Sequence, residues 1–414
     1  MSFAVSRCLP RVGTGWRFGA TPLPLLLVML VAWAIPLDAR AQWWWWSPPA
    51  PRNWEPLTAP LWYQPEVDDP TVSLPAIDDS AVYTFTLGHH LIKRALTDGR
   101  ELWRVDTGER EETFGERLAV AAGTVLVGEW DLVAFDSETG RHRWSFRPPE
   151  GTGYGAYLGA IDRDLILTGS RSGHMAAVHI ADGRTRWLRT VVADPESLVR
   201  PPVVDDDDVI AAYTVTRNPW RGGVVSLNLA DGREQWRFEI PEGAGWHSAP
   251  SDAPVISGQR VFVPSEHGAV YALDRETGAL VATIPPVFPE GSPQARFLSQ
   301  DTRKLARAGR ILGITSLSGI MVGLNIDTLK EVWRYDGSKI GSFGYELIPG
   351  HGAFYATQFF GFLVAVDATT GTQRWITGGE RREFNRGPVV VGDDLVAAGA
   401  SGTWRLRSQP PPQP

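Results

Sequence analysis

The sequence predicts an all-β protein: a closed β-propeller of four-stranded blades, about eight of them, with the N- and C-terminal strands sharing one blade. Three observations predict it. A strand–turn–strand pattern ending in tryptophan recurs along the chain. Its spacing is that of a propeller blade. The last copy lacks a strand, and an unattached strand precedes the first copy.

The pattern reads Leu-Val-Ala-Phe-Asp-x-x-Thr-Gly-x-x-x-Trp at 132–144 and returns at 175–187, 224–236, 270–282, 321–333 and 363–375. An earlier copy, Leu91 to Trp103, keeps the turn and the tryptophan but has Lys93 and Arg94 in mid-strand. The turn position falls at Gly99, Gly140, Gly183, Gly232, Gly278, Leu329 and Gly371, at intervals of 41, 43, 49, 46, 51 and 42 residues. Four residues later stand Trp103, Trp144, Trp187, Trp236, Ala282, Trp333 and Trp375.

Each column has a physical reason. Asp-Gly or Thr-Gly makes a hairpin turn in which glycine takes positive φ at low cost. Leu329 breaks that rule and predicts an altered turn. Six residues before the turn come Ala134, Ala177, Ser226, Ala272, Gly323 and Ala365, small enough for sheets to approach closely. The next position is Phe135, Val178, Leu227, Leu273, Leu324 and Val366, which points to the opposite face. A sheet covered on both faces is a blade between two blades. The tryptophan opens the last strand and is expected to lie over the neighbouring blade.

A second hairpin precedes each copy, with turns such as Asp78-Asp79, Ala122-Gly123, Asp205 to Asp208, Ser257-Gly258 and Gly392-Asp393-Asp394. Each unit is therefore four short strands, and no segment shows a helical apolar stripe. The unit at 388–408 has three strands and no outer one. Trp62 lies 41 residues before Trp103, in a strand without a blade. Sharing the last blade between the two ends closes the ring and removes its open edges. Eight blades follow, with seven the alternative.

The remaining segments read differently. Residues 1–41 carry Arg7, Arg11 and Arg17, then an apolar run from Leu23 to Ile35, then Ala39-Arg40-Ala41 as a small-x-small cleavage site. This predicts a signal peptide removed near Ala41, with an uncleaved anchor as the alternative. Residues 42–56, with Trp43 to Trp46 and Ser-Pro-Pro-Ala-Pro, read as a linker. Residues 57–408 are the propeller, and 409–414 a Pro-rich tail.

Composition excludes several functions. Beyond position 41 there are 36 basic and 46 acidic residues, a poor surface for nucleic acid. The only cysteine, Cys8, lies in the targeting segment. The exported chain then has no thiol for a disulfide, a metal–thiolate site, a nucleophile or haem attachment. Cys8 also precedes the apolar run, which is the wrong side for lipidation. The acidic groups of Asp205 to Asp208 fall in repeated turns and read as solvated turn charges.

The repeat resembles the pyrroloquinoline-quinone-type propeller repeat, whose core stands here at 270–278 and, with its tryptophan, at 132–144. The resemblance covers roughly residues 57–408. Within it, the plan of the chain is most similar to the family of B subunits of the outer-membrane β-barrel assembly machinery. That implies a periplasmic, non-catalytic scaffold without cofactor or metal, and a barrel-inserting subunit of the machinery among its envelope partners. It also implies that a loop with a Leu/Arg pair makes the contact. The matching stretch is Pro195 to Arg200, with Leu198 and Arg200. The chain departs from the family in having Pro201-Pro202 after it and no lipidation cysteine after the apolar run. The alternatives are a pyrroloquinoline-quinone-dependent dehydrogenase and an anchored envelope protein binding another ligand. The dehydrogenases of this repeat family are longer and usually carry a vicinal disulfide and Ca²⁺ ligands.

Propeller geometry gives a family-independent expectation. Inter-blade loops and middle-strand loops share one face. That face collects Tyr154, Tyr157, Arg200, Trp220, Arg221, Trp246, His247, Arg296, Phe297, Phe343, Tyr345, Phe359, Phe360, Phe384 and Arg386. Aromatic residues and arginine dominate protein interfaces. Leu198, Arg200, Trp220, Arg221 and Trp246 are the candidate partner-binding residues. Trp62, Trp103, Trp144, Trp187, Trp236, Trp333 and Trp375 are the structural docking set.

Overall fold

Each copy of the repeat folds as the third and fourth strands of an antiparallel sheet, and the hairpin before it supplies the first and second. The computed structural model describes residues 60–108, 117–128, 131–147, 156–242, 247–286, 302–358, 361–378, 384 and 386–409. Among them every regular element is a strand, and the strands form eight sheets, the blades of a β-propeller. Blades 1 to 7 span 76–106, 117–146, 156–190, 197–239, 255–284, 302–336 and 343–378. Blade 8 takes Arg386–Val391, Asp394–Gly399 and Gly402–Arg407, and its outer strand is Trp62–Pro65. Trp62 stands opposite Arg405 and Pro65 opposite Gly402. The ring closes as expected, with eight blades rather than seven. Residues 1–59, which hold the expected targeting segment and linker, and the tail beyond residue 409 lie outside the described residues.

The apolar core is divided among the seams between blades. Each of eight buried clusters joins two successive blades, as where Leu126 and Trp144 of blade 2 meet Ile166 and Val178 of blade 3. The docking tryptophans cross these seams. Each of the seven indole Nε1–H groups donates to a main-chain carbonyl of the next blade, at 2.7–3.2 Å. For six of them the acceptor lies three residues before the turn position, as for Trp62 to Leu96 and Trp144 to Ile180. The ring also lies on the turn glycine. A Cβ at Gly99 would sit 2.7 Å from Trp62, and one at Gly183 2.7 Å from Trp144. These glycines also take positive φ, 74° at both Gly99 and Gly183. Glycine is thus required twice, by the backbone and by the indole.

The seam between blades 5 and 6 is built differently. Leu329 does not alter the turn: its φ is 57°, and its N–H donates to Asn325 at 2.8 Å, as the glycines do in their turns. What changes is the contact above it. Ala282 replaces the tryptophan, and the Leu329 side chain packs into this seam beside it. The carbonyl that an indole would bind, that of Ile326, accepts from Arg260 Nη1 instead. A left-handed leucine costs about 1–2 kcal/mol, and partial burial of its side chain offsets part of that cost.

The closing seam, between blades 8 and 1, has a small apolar cluster of Trp62, Val82, Leu96 and Val396. A polar clasp accompanies it. Glu66 follows the N-terminal strand and is 6% exposed; it pairs with Arg94 of blade 1, which is 4% exposed. Thr71 donates to the same carboxylate, and Thr403 of blade 8 donates at 3.2 Å. Lys93 Nζ donates to the Ser137 carbonyl of blade 2 at 2.9 Å. The two mid-strand cations are therefore seam ties.

The acidic turn Asp205 to Asp208 is not simply solvated. Arg275 of blade 5 reaches it, donating to Asp208 at 2.9 Å, to Asp206 at 3.3 Å and to the carboxylate of Asp205. In blade 4 the first strand is split into Ser197–Val199 and Val203–Asp205, both paired with Asp208–Val215. Pro201-Pro202 falls at the break, where two N–H groups are missing.

Two stability measurements follow. Trp144→Ala is expected to cost about 3–5 kcal/mol in denaturant unfolding, the loss for a large buried aromatic. Ala282→Trp alone is expected to destabilise by about 1–3 kcal/mol, because the indole collides with Leu329. Adding Leu329→Gly to it should recover most of that loss. Equal stability of the single and double variants would show that the two positions do not share one space.

Candidate docking face

The turn chemistry that aims Gly-rich hairpins to one face leaves the inter-blade segments on the other. There the structure brings several of the expected residues together at the seam of blades 4 and 5. Trp220 stacks on His247, with ring centroids 4.6 Å apart and planes 25° from parallel. The Trp220 main-chain N–H donates to His247 Nδ1 at 3.0 Å, and Ser248 N–H donates to the Trp220 carbonyl at 2.8 Å. The chain entering blade 5 is thus stitched along the loop between the second and third strands of blade 4. Arg221 follows, exposed and bridged in parallel to Ser248.

Arg200 lies on the inner side of this seam. Its Nη2 donates to the Pro250 carbonyl at 3.0 Å and faces Glu266 at 3.6 Å. Its Nε is buried without an acceptor among the described residues. Leu198 sits opposite Thr214 in a strand, half-buried. Within the stretch read as a loop, Ser197–Val199 forms the first part of blade 4's inner strand, while Pro195, Glu196 and Arg200 lie outside it, and Arg200 is a seam residue as well as a candidate contact.

The rest of the expected face is divided. Phe343 and Phe384 are 1% and 0% exposed and belong to seams, Phe384 against Trp404 at 4.8 Å. Tyr157 accepts a hydrogen bond from Arg171 Nε at 2.6 Å. Arg386 Nε donates to the Val72 carbonyl and ties blade 8 to the chain before blade 1. Trp246, Tyr154, Arg296, Phe297, Phe359 and Phe360 lie outside the described residues, as does the side chain of Tyr345.

Sequence reasoning missed the charges beside this face. Lys304, at the inner strand of blade 6, pairs with Asp252 at 3.0 Å; their side chains are 20% and 18% exposed. Burial pushes the Asp252 carboxyl up, but Lys304, Arg117 and Arg200 together hold it below the usual carboxylate range. Burial lowers Lys304, yet Asp252 and Glu346 carry it above its ordinary value. One signal was available: the chain has few lysines, and Lys93 and Lys304 both fall in strands. His267 completes the tract, its Nε2 3.0 Å from the Tyr271 hydroxyl.

These acids do not suit a quinone-associated hard cation, which needs several free oxygens converging on one point. Asp252 is committed to Lys304 and Glu266 faces Arg200. Among the described residues no three metal-ligating side chains converge.

A family model described as outer membrane protein assembly factor BamB matches residues 55–218 and 220–407. The BamB of Xanthomonas campestris pv. campestris is 24% identical over 321 residues, 73% of this chain and 74% of that protein. The BamB of Nitrosomonas eutropha is 24% identical over 232 residues, so the match spans about half of each chain, 53%. Among solved structures, BamB from Moraxella catarrhalis is similar with a TM-score of 0.53 and 20% identity, over 71% of this chain and 85% of that one. The quinohemoprotein alcohol dehydrogenase of Comamonas testosteroni gives a TM-score of 0.66 at 11% identity, over 84% and 75%. At such identities the structural likeness shows the propeller fold alone.

Burial lowers the pKa of His267, opposed by its contact with the His247 carbonyl. A histidine depressed in the fold takes its proton more readily when unfolded. Its contribution is therefore intact above the unfolded value of about 6.5 and is lost as pH falls below it. Chemical denaturation from neutral to mildly acidic pH should show wild-type stability falling more steeply than that of His267→Gln. Parallel curves would contradict this placement of His267.

Proposed function

The chain belongs to the family of the outer membrane protein assembly factor BamB, and on that footing we propose that it is a non-catalytic envelope scaffold whose partner docks where Arg200, Trp220 and His247 meet. The observation that carries the reading is the family match across nearly the whole propeller. The geometry supports the site. Trp220 is held by its stack on His247, so little rotamer freedom is lost when a partner covers it. Arg200 is held at the seam by its Nη2 donating to the Pro250 carbonyl, so its guanidinium is already oriented. Arg221 adds an exposed charge at the rim. Ser197–Val199 is only three residues long and runs into Pro201-Pro202, a poor template for strand addition, so the contact in this reading is made by side chains.

The partner in this reading is the barrel-inserting subunit of the outer-membrane assembly machinery. The compartment is the periplasm, reached through removal of residues 1–41, with peripheral association at the outer membrane. Neither nucleic acid nor a quinone cofactor takes part.

The test is binding of the exported chain to the purified barrel-inserting subunit of the same organism, measured by calorimetry. Leu198→Ala with Arg200→Ala is expected to weaken binding by about tenfold or more, roughly 1.4 kcal/mol. Arg200 also ties blade 4 to blade 5, so Trp220→Ala and Arg221→Glu are measured beside it, with melting temperature as the control for folding. Unchanged affinity in all three would place the docking face elsewhere. Dye-linked alcohol oxidation after addition of pyrroloquinoline quinone and Ca²⁺ would overturn the non-catalytic reading.

A further inference from the structure

Blade 5 presents an outer strand from which both the docking tryptophan and every charge are missing. The strand Leu280–Ile284 reads Leu-Val-Ala-Thr-Ile. At the same positions blades 1, 4 and 6 carry Glu101 with Arg104, Glu234 with Arg237 and Glu331 with Arg334, paired along the strand at 3.0, 2.7 and 2.7 Å. Blade 5 has Leu280 and Thr283 there. The outer strands of blades 2, 3 and 7 keep Arg143, Arg186 with Arg189, and Arg374. That of blade 8 is uncharged, but it is short and ends in Pro65.

Charge and proline on an outer strand are what keep its free main-chain groups from pairing with another chain. Blade 5 lacks both. Leu280 and Val281 are 45% and 49% exposed. Among the described residues the strand pairs only with Val270–Asp274, so its other edge has no sheet partner. We propose that this edge binds an extended, uncharged strand of another polypeptide, which adds to blade 5 as a further strand.

The chemistry selects that occupant. The edge offers main-chain donors and acceptors flanked by aliphatic side chains, and no charge to hold an acidic or basic segment. The neighbouring outer strands Glu234–Glu239 and Glu331–Asp336 carry Glu–Arg pairs on either side. A single added strand covers the edge of blade 5 alone. A second copy of the propeller would bury those pairs as well, at a cost in desolvation. The inference rests on the strand's composition and not on the docking face of blades 4 and 5, so either can fail alone.

The test uses the full exported chain and a short, capped, fluorescently labelled peptide alternating Thr and Val, with anisotropy as the readout. The decisive variant is Leu280→Glu with Thr283→Arg, which installs the pair already carried by three sister blades and so preserves folding. It is expected to weaken peptide binding by about tenfold or more, while Val332→Lys, exposed on blade 6, leaves binding unchanged. The same peptide N-methylated at alternate residues keeps its side chains but loses half its main-chain donors, and should not bind. Equal binding by the double variant, equal binding of the N-methylated peptide, or an equal loss from Val332→Lys would overturn the proposal. So would a wild-type dimer in sedimentation that the double variant abolishes without any peptide binding, because the edge would then belong to a second copy of the chain.

Discussion

The structure depends on one repeated contact: an indole that lies on the turn of the next blade and donates its N–H to a carbonyl there. A propeller blade is a thin sheet that must cover both faces, and neither can be covered from within the blade. The tryptophan fixes how far apart two blades sit and how they are rotated. The turn glycine is the other half of the same contact, because a Cβ at Gly99 or Gly183 would fall inside the van der Waals radius of the ring. A seam is thus specified by two residues about 40 positions apart, one in each blade.

The seam of blades 5 and 6 shows the rule by its exception. With Ala282 in place of a tryptophan, the turn at Leu329 carries a side chain, and both residues pack against the same seam cluster. Arg260 then takes the carbonyl of Ile326. The closing seam keeps the indole contact of Trp62 and adds a polar clasp to it. There the N-terminal strand joins the C-terminal blade, and the buried pair of Glu66 and Arg94 ties the incoming chain to blade 1. A buried ion pair adds less net stability than apolar packing, but either partner alone would be an uncompensated charge. It therefore favours the one register in which both meet.

Much of this was legible in the sequence because propeller blades repeat. The spacing of Trp103, Trp144 and Trp187, the missing outer strand near residue 408 and the orphan strand at Trp62 together gave the blade number and the closure. What was not legible has a common cause: it lies in contacts between blades, which a repeat read along the chain does not display. Lys93 and Arg94 looked like faults in a strand until Ser137 and Glu66 came alongside. Ala282 and Leu329 were two separate irregularities until they shared a seam. Arg200 was assigned from a resemblance, and its contact with Pro250 required the next blade to be in place. Phe343 and Phe384 read as surface aromatics because loop position alone does not tell an exposed ring from one packed in a seam.

The cross-seam contact is tested most directly by a double-mutant cycle at the closing seam, with Trp62→Ala, Gly99→Ala and both together, measured by equilibrium denaturation. Gly99→Ala meets two costs in the native chain, positive φ and the indole 2.7 Å away. Only the first remains when Trp62 is alanine. The account predicts a coupling of about 0.5–3 kcal/mol between the two positions. Additive losses within about 0.3–0.5 kcal/mol would mean that the ring and the glycine act independently, and would contradict the claim that this contact sets the spacing of the blades.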